Sequence, residues 1–189
     1  MTTKKIGVLV GSLRKESYNK KLARELMKLV PASYQAEAIE IGELAIYNQD
    51  LDDEGHPPAA WTAFRERMKT FDAILFVTPE YNRSVPGVLK NALDVGSRPY
   101  GESVWDGKPG AVVSASPGKL GAFGANHHLR QSLVFLNVPV MQQPEAYIGE
   151  VAALFDEHGA FISEDSRQFF QKFMDAFAKW IETNTQPKA

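Results

Sequence analysis

Runs that are apolar at consecutive positions, rather than at every second one, set the tightest limit on what this chain can fold into. Ala73-Ile74-Leu75-Phe76-Val77, following Asp72, and Ile6-Gly7-Val8-Leu9-Val10 are of this kind. A strand with no polar face must be covered on both sides. Residues 36–41 read as a second strand, 109–114 as a fourth and 138–141 as a fifth. Between these runs the apolar period changes. Leu22, Leu26, Leu29 and Val30 trace one helix face, Trp61, Phe64, Met68 and Phe71 another, and Leu129, Leu133 and Leu136 a third. Phe169, Phe173, Phe177, Trp180 and Ile181 form a last stripe behind the cap candidate Ser163. Strands alternating with helices predict an α/β chain: a doubly wound parallel sheet of five strands with helices on both faces, in one domain over residues 1–189. The tail from Gln186 to Ala189 reads as frayed.

Two loops at the carboxyl ends of these strands, where open α/β sheets bind ligands, carry unusual chemistry. The first, Gly11-Ser12-Leu13-Arg14-Lys15-Glu16-Ser17-Tyr18-Asn19, runs straight into a helix. Free N–H groups and the positive end of the helix dipole make that place an anion site, and the loop adds two hydroxyls, an amide and a guanidinium. Capping alone would account for Ser17 and Asn19, but not for Ser12 and Arg14 as well. The second loop, Pro79-Glu80-Tyr81-Asn82-Arg83, offers an aromatic plane, an amide and a guanidinium. Pro86 then suits the first turn of a helix and Ser84 the capping position before it.

The anion is best read as a phosphate. A dinucleotide loop needs G-x-G-x-x-G, and only Gly11 is present; a Walker A loop needs a second Gly and a Lys-Ser/Thr pair, both missing. What remains is a terminal phosphate monoester, which several hydroxyl and amide donors and one cation would hold. FMN ends in such a group.

Taken together, the segments Gly11 to Asn19, Pro79 to Asn82 and Ser84-Val85-Pro86-Gly87-Val88-Leu89-Lys90-Asn91-Ala92 resemble the signature of the NAD(P)H-dependent FMN reductase family. That family includes bacterial quinone, azo and chromate reductases on a flavodoxin-like fold, and the likeness runs over nearly the whole chain. The resemblance implies bound FMN, with NADPH or NADH as electron donor. Ser12, Arg14, Ser17 and Asn19, with Leu13 and Tyr18 in the same loop, would hold the phosphate. Pro79, Glu80, Tyr81, Asn82 and Arg83 would lie along the isoalloxazine ring, and Ser116 and Gly118 would close its other edge. It implies no catalytic side chain, because hydride transfer and the two-electron reduction of quinones, azo compounds, chromate or free flavin proceed on the flavin in a ping-pong cycle. It also implies a homodimer or homotetramer. Arg83, and Val95 after Asp94, stand where many relatives carry other residues, so acceptor preference does not carry over.

Composition fits this class. There is no cysteine, which excludes disulfides, thiolate metal sites and a catalytic thiol. With 21 Lys and Arg against 23 Asp and Glu, a net charge of −2 gives no overall field for nucleic acid or an anionic membrane. The opening apolar run is too short for a signal peptide or a membrane span, so the expected location is cytoplasmic and the partners are small-molecule acceptors. No metal is expected: His127 and His128 point about 100° apart on a helix, with no ligand-bearing residue one turn on. Asp50, Asp52, Asp53 and Glu54 lack the glycine and terminal glutamate of a calcium loop and read as a solvated loop. Two further readings share the fold. A flavodoxin-type electron carrier would bind FMN without oxidising a nicotinamide, and a binding module would carry no flavin.

Overall fold

The computed structural model describes residues 3–185; Met1, Thr2 and the tail from Gln186 to Ala189 lie outside the described residues. Five parallel strands, β1 (Lys4–Val10), β2 (Tyr34–Ile39), β3 (Ala73–Thr78), β4 (Gly110–Ala115) and β5 (Tyr147–Ile148), form one sheet in the order β2-β1-β3-β4-β5. The helices are α1 (Tyr18–Lys28), the short α2 (Gln49–Asp53), α3 (Ala59–Lys69), α4 (Gly87–Gly96), α5 (Phe123–Phe135) and α6 (Glu164–Asn184). Every residue of β3 and β4 is buried, and the two polar ones, Thr78 and Ser114, donate their hydroxyls to the Pro79 and Gly121 carbonyls (2.8 Å each).

Successive residues of a strand point to opposite faces, and each face has its own helical cover. Val8, Leu75 and Val113 meet Leu22 and Leu26 of α1 and Phe173 and Phe177 of α6. Leu9, Phe76 and Val112 meet Trp61 of α3, Leu93 of α4 and Leu129 of α5. Trp61, Trp105, Phe173 and Phe177 are almost fully buried, each contributing about 2–3 kcal/mol by area. No helix among the described residues is long and apolar enough to cross a membrane.

Several expectations are corrected. The fifth strand is Tyr147–Ile148, not 138–141. Val140 makes one parallel bridge to Gly110 at the start of β4, and the chain rejoins β4 at its end, where Tyr147 pairs with Ser114. Pro144, with no N–H to give, lies between these two pairings. The second strand begins two residues earlier than expected, at Tyr34. In α6 it is Phe170, not Phe169, that faces the core; Phe169 is exposed. Pro86 precedes α4 as its cap residue, and Ser84 does not cap it.

Asp52 is not solvated: its carboxylate receives both Arg65 Nη1 (2.8 Å) and Nη2 (2.7 Å), with both side chains buried. Those hydrogen bonds hold its carboxyl below the usual carboxylate range. Asn91 completes the anchoring of this excursion, accepting from Tyr47 N–H (2.9 Å) and donating to the Leu44 and Ala45 carbonyls (3.0 Å each).

Candidate functional site

β1 lies between β2 and β3, so the chains leaving β1 and β3 turn away from each other there, and a crevice opens between their loops. Gly11 lets the two loops touch. Its N–H reaches the Val77 carbonyl (2.9 Å), and a side chain here would sit 3.0 Å from Thr78 Oγ1 and 3.2 Å from Pro79 Cδ.

In the first loop Ser12, Ser17 and Asn19 are buried, whereas Leu13 and Arg14 are exposed. Ser17 is the N-cap of α1: its Oγ accepts the Lys20 N–H (3.3 Å), which leaves the hydroxyl proton free to donate. The N–H groups of Tyr18 and Asn19, first in the helix, have no acceptor within it. The Tyr18 ring packs on the α1–α6 core, so its contribution to this place is its backbone. Asn19 donates Nδ2 to the Ala115 carbonyl (3.2 Å), and its Oδ1 is buried with no partner among the described residues. An orphaned acceptor suits a hydroxyl donor such as those of a ribityl chain, and the helix N-terminus, Ser12 and Arg14 beside it could hold an anion.

The second loop is a tight hairpin. Tyr81 and Ser84 exchange both backbone hydrogen bonds (3.2 and 3.0 Å), and between them Asn82 (φ 51°) and Arg83 (φ 66°) are left-handed. Asn tolerates this conformation; for Arg it costs about 1–2 kcal/mol, which the surroundings must offset. Two tethers do so. Glu80 Oε2 accepts the Ala125 N–H (3.0 Å) at the start of α5, where Ala122 supplies no side-chain cap, and Ser84 Oγ meets His128 Nδ1 (3.0 Å). Glycine at 124 is required for this docking, because a Cβ there would lie 2.9 Å from both Glu80 Oε2 and the Arg83 carbonyl oxygen. Tyr81, Asn82 and Arg83 themselves are exposed, with Arg83 Nη1 3.6 Å from Glu80 Oε1, while Pro79 is half-buried.

The loop after β4 completes the group. Ser116 N–H donates to the Ile148 carbonyl (3.0 Å), Glu150 N–H to the Gly118 carbonyl (3.2 Å) and Ser116 Oγ to the same Gly118 oxygen (3.1 Å). Beside it Phe123, His127 and Tyr147 cluster, with the Tyr147 hydroxyl bonded to His127 Nε2 (3.0 Å) and Glu145 Oε1 (2.9 Å). Burial, and then the Glu145 carboxylate, push the Tyr147 hydroxyl pKa up.

Of the thirteen residues singled out in the sequence, eleven lie in three loops and Tyr18 and Asn19 open α1 behind the first; the group is joined at the carboxyl ends of the strands by Gly11 against Thr78, by Asn19 to Ala115 and by Glu80 to Ala125. Sequence reasoning missed the supports: His128, Gly124, Ala125 and the residue 148–151 brace. One signal was available, since α5 opens without a capping residue and therefore needs an acid from elsewhere in the chain.

Comparison with known proteins identifies the family. The family model for NADPH-dependent FMN reductases matches residues 4–153. A quinone reductase of Pseudomonas putida is 60% identical over 179 residues, 95% of each chain. A 2-hydroxy-1,4-benzoquinone reductase of a Burkholderia species is 47% identical over 177 residues, 94% of this chain and 96% of that one. Among solved structures, FerB of Paracoccus denitrificans, a flavoenzyme NAD(P)H:(acceptor) oxidoreductase, superposes with a TM-score of 0.90 at 42% identity, covering 97% of this chain and all of that one. Flavodoxin-like sheet, phosphate-suited helix N-terminus and these matches over nearly the full length have one explanation: the chain is an oxidoreductase that uses FMN and NAD(P)H, and it belongs to the NADPH-dependent FMN reductase family.

Proposed function

We propose that this chain is a quinone reductase in which electrons pass from NAD(P)H through bound FMN to the acceptor, within one domain. The observation that carries the reading is the pairing, at the β1/β3 switch point, of an open helix N-terminus with the buried, unpartnered Asn19 Oδ1. When bound, FMN supplies the chemistry, taking a hydride equivalent from the nicotinamide and giving two electrons to the acceptor. The chain's own residues hold and orient it. Ser12, the Ser17 hydroxyl, Arg14 and the first N–H groups of α1 bind the phosphate, and Leu13, whose side chain lies against Gly42, shapes the same loop. Asn19 Oδ1 accepts a ribityl hydroxyl. Pro79, Glu80, Tyr81 and Asn82 take one polar edge of the ring and Ser116 and Gly118 the other. The rigid Asn82–Arg83 turn places backbone dipoles where negative charge grows on reduction. Arg83, exposed beside the ring site, recruits anionic reactants.

An open ring face shared by donor and acceptor supports a ping-pong cycle and a range of flat acceptors, with azo compounds, chromate and free flavin beside quinones. The absence of cysteine fits a reducing compartment and supports a cytoplasmic location. Initial rates with NADPH and a benzoquinone test the reading. Parallel double-reciprocal lines, extending to azo dye and chromate, are expected. Intersecting lines would refute the shared face, and FMN-loaded protein that reduces no quinone would refute the assignment.

A further inference from the structure

We propose that the cleft between α1 and the end of β2 is the subsite for the adenosine end of NADPH, with Arg24 and Lys20 reading its 2′-phosphate. The inference rests on the nicotinamide-oxidising function proposed above and adds where the far end of that donor binds.

The cleft is a cavity of about 140 Å³. Its wall begins at Ser12 and Leu13, so it adjoins the phosphate loop. The floor is apolar, from Val10, Met27, Ile39 and Ile41, and suits the face of a base; Lys20, Arg24 and Glu40 supply its charged groups. The whole chain's charge of −2 conceals a local excess here, since residues 11–28 hold six cations and only two carboxylates. Both carboxylates are engaged, Glu16 with Lys21 (3.6 Å) and Glu25 with Lys28 (2.5 Å). Lys20 Nζ reaches only the Leu13 carbonyl (3.4 Å), and Arg24 has no ion-pair partner among the described residues. An exposed, unpaired guanidinium beside an ammonium is a phosphate-reading pair, and the planar fork of Arg suits a phosphate's oxygens.

Molecular length supplies the second argument. A dinucleotide is longer than the mononucleotide it reduces, so a donor whose nicotinamide reached the flavin would need a second subsite outside the flavin site for its adenosine end. On the β2 side the cleft is the concavity that begins at the phosphate loop. An acid suits a bare ribose 2′-hydroxyl, and an arginine suits a 2′-phosphate. Glu40 directly follows β2, and Arg24 and Lys20 stand on the helix beside it. Two cations against one carboxylate favour the phosphate.

The test titrates FMN-loaded protein with adenosine 2′,5′-bisphosphate and with adenosine 5′-monophosphate, and measures kcat/KM for NADPH and NADH. The bisphosphate should bind about ten- to a hundredfold more tightly than the monophosphate, the range of a charge-assisted hydrogen bond. Arg24→Ala should abolish most of that difference and lower kcat/KM for NADPH by a similar factor, leaving NADH, the quinone KM and FMN content unchanged. Lys20→Met should act in the same direction. Equal affinity for the two nucleotides, or an NADPH to NADH ratio that neither variant moves, would overturn the subsite. If neither nicotinamide were oxidised, the proposed function would fall instead, and the nucleotide titration would still decide the subsite.

Discussion

Arg14 is exposed and has no ion-pair partner among the described residues, so its charge is available to a ligand at the mouth of the first loop. Arg14→Ala should leave the fold intact and weaken FMN binding by about 1.5–3 kcal/mol, with riboflavin, which lacks the phosphate, little affected. Titration of the apoprotein with both flavins measures this; equal losses for the two would place the clamp elsewhere. Arg83 differs, because its guanidinium lies 3.6 Å from Glu80 and can serve either the loop or a reactant. Arg83→Ala should lower kcat/KM about tenfold or more for an anionic acceptor while leaving a matched neutral quinone nearly unchanged, as loss of a charge contact confined to one reactant requires. Equal losses for both acceptors would assign Arg83 to the loop alone. At this scale the sequence was legible where a residue's partner is close along the chain, as for the Ser17 cap. It was not for Asn19, whose amide is committed to Ala115, 96 positions away, and whose free atom is therefore an acceptor and not the donor that a phosphate needs.

The same limit governs the elements. Periodicity located α1, α3, α5 and α6 and the buried strands because each is dictated by its own residues, but a two-residue edge strand has no period to read. Tyr147–Ile148 exists because Ser114 and Ala115 offer it a partner, and 138–141 looked like a strand because its Val138 and Met141 are buried against the sheet. The tether between the β3 loop and α5 belongs to this scale as well. Glu80 brings a negative charge to an uncapped helix N-terminus and fixes a left-handed turn at the same time. Glu80→Gln preserves shape but removes the charge, and should cost about 1 kcal/mol of stability, the worth of a cap and its dipole term. Because the two ring-flanking loops would then be less firmly joined, FMN affinity should fall with it. Thermal unfolding of the apoprotein and flavin titration check both; unchanged values in both would show that the tether is incidental.

For the whole molecule, the distribution of apolar surface points outward at one end of α5. Leu133 and Val138 are buried, yet Val134 is 76% and Phe135 84% exposed, and neither takes part in the site. Such a patch fits a self-complementary contact, so the protein should sediment as a dimer or a tetramer of dimers, and Phe135→Asp should shift it toward monomer. A wild-type monomer at micromolar concentration with full activity would dismiss the idea. The central claim, that one flavin in the three-loop site is both reduced by a nicotinamide and reoxidised by a quinone, is tested most directly in the absorption spectrum of FMN-loaded protein without oxygen. NADPH in slight excess should bleach the visible flavin bands, and a benzoquinone added afterwards should restore them. A yellow protein that NADPH does not bleach, or a bleached one that the quinone does not restore, would contradict it.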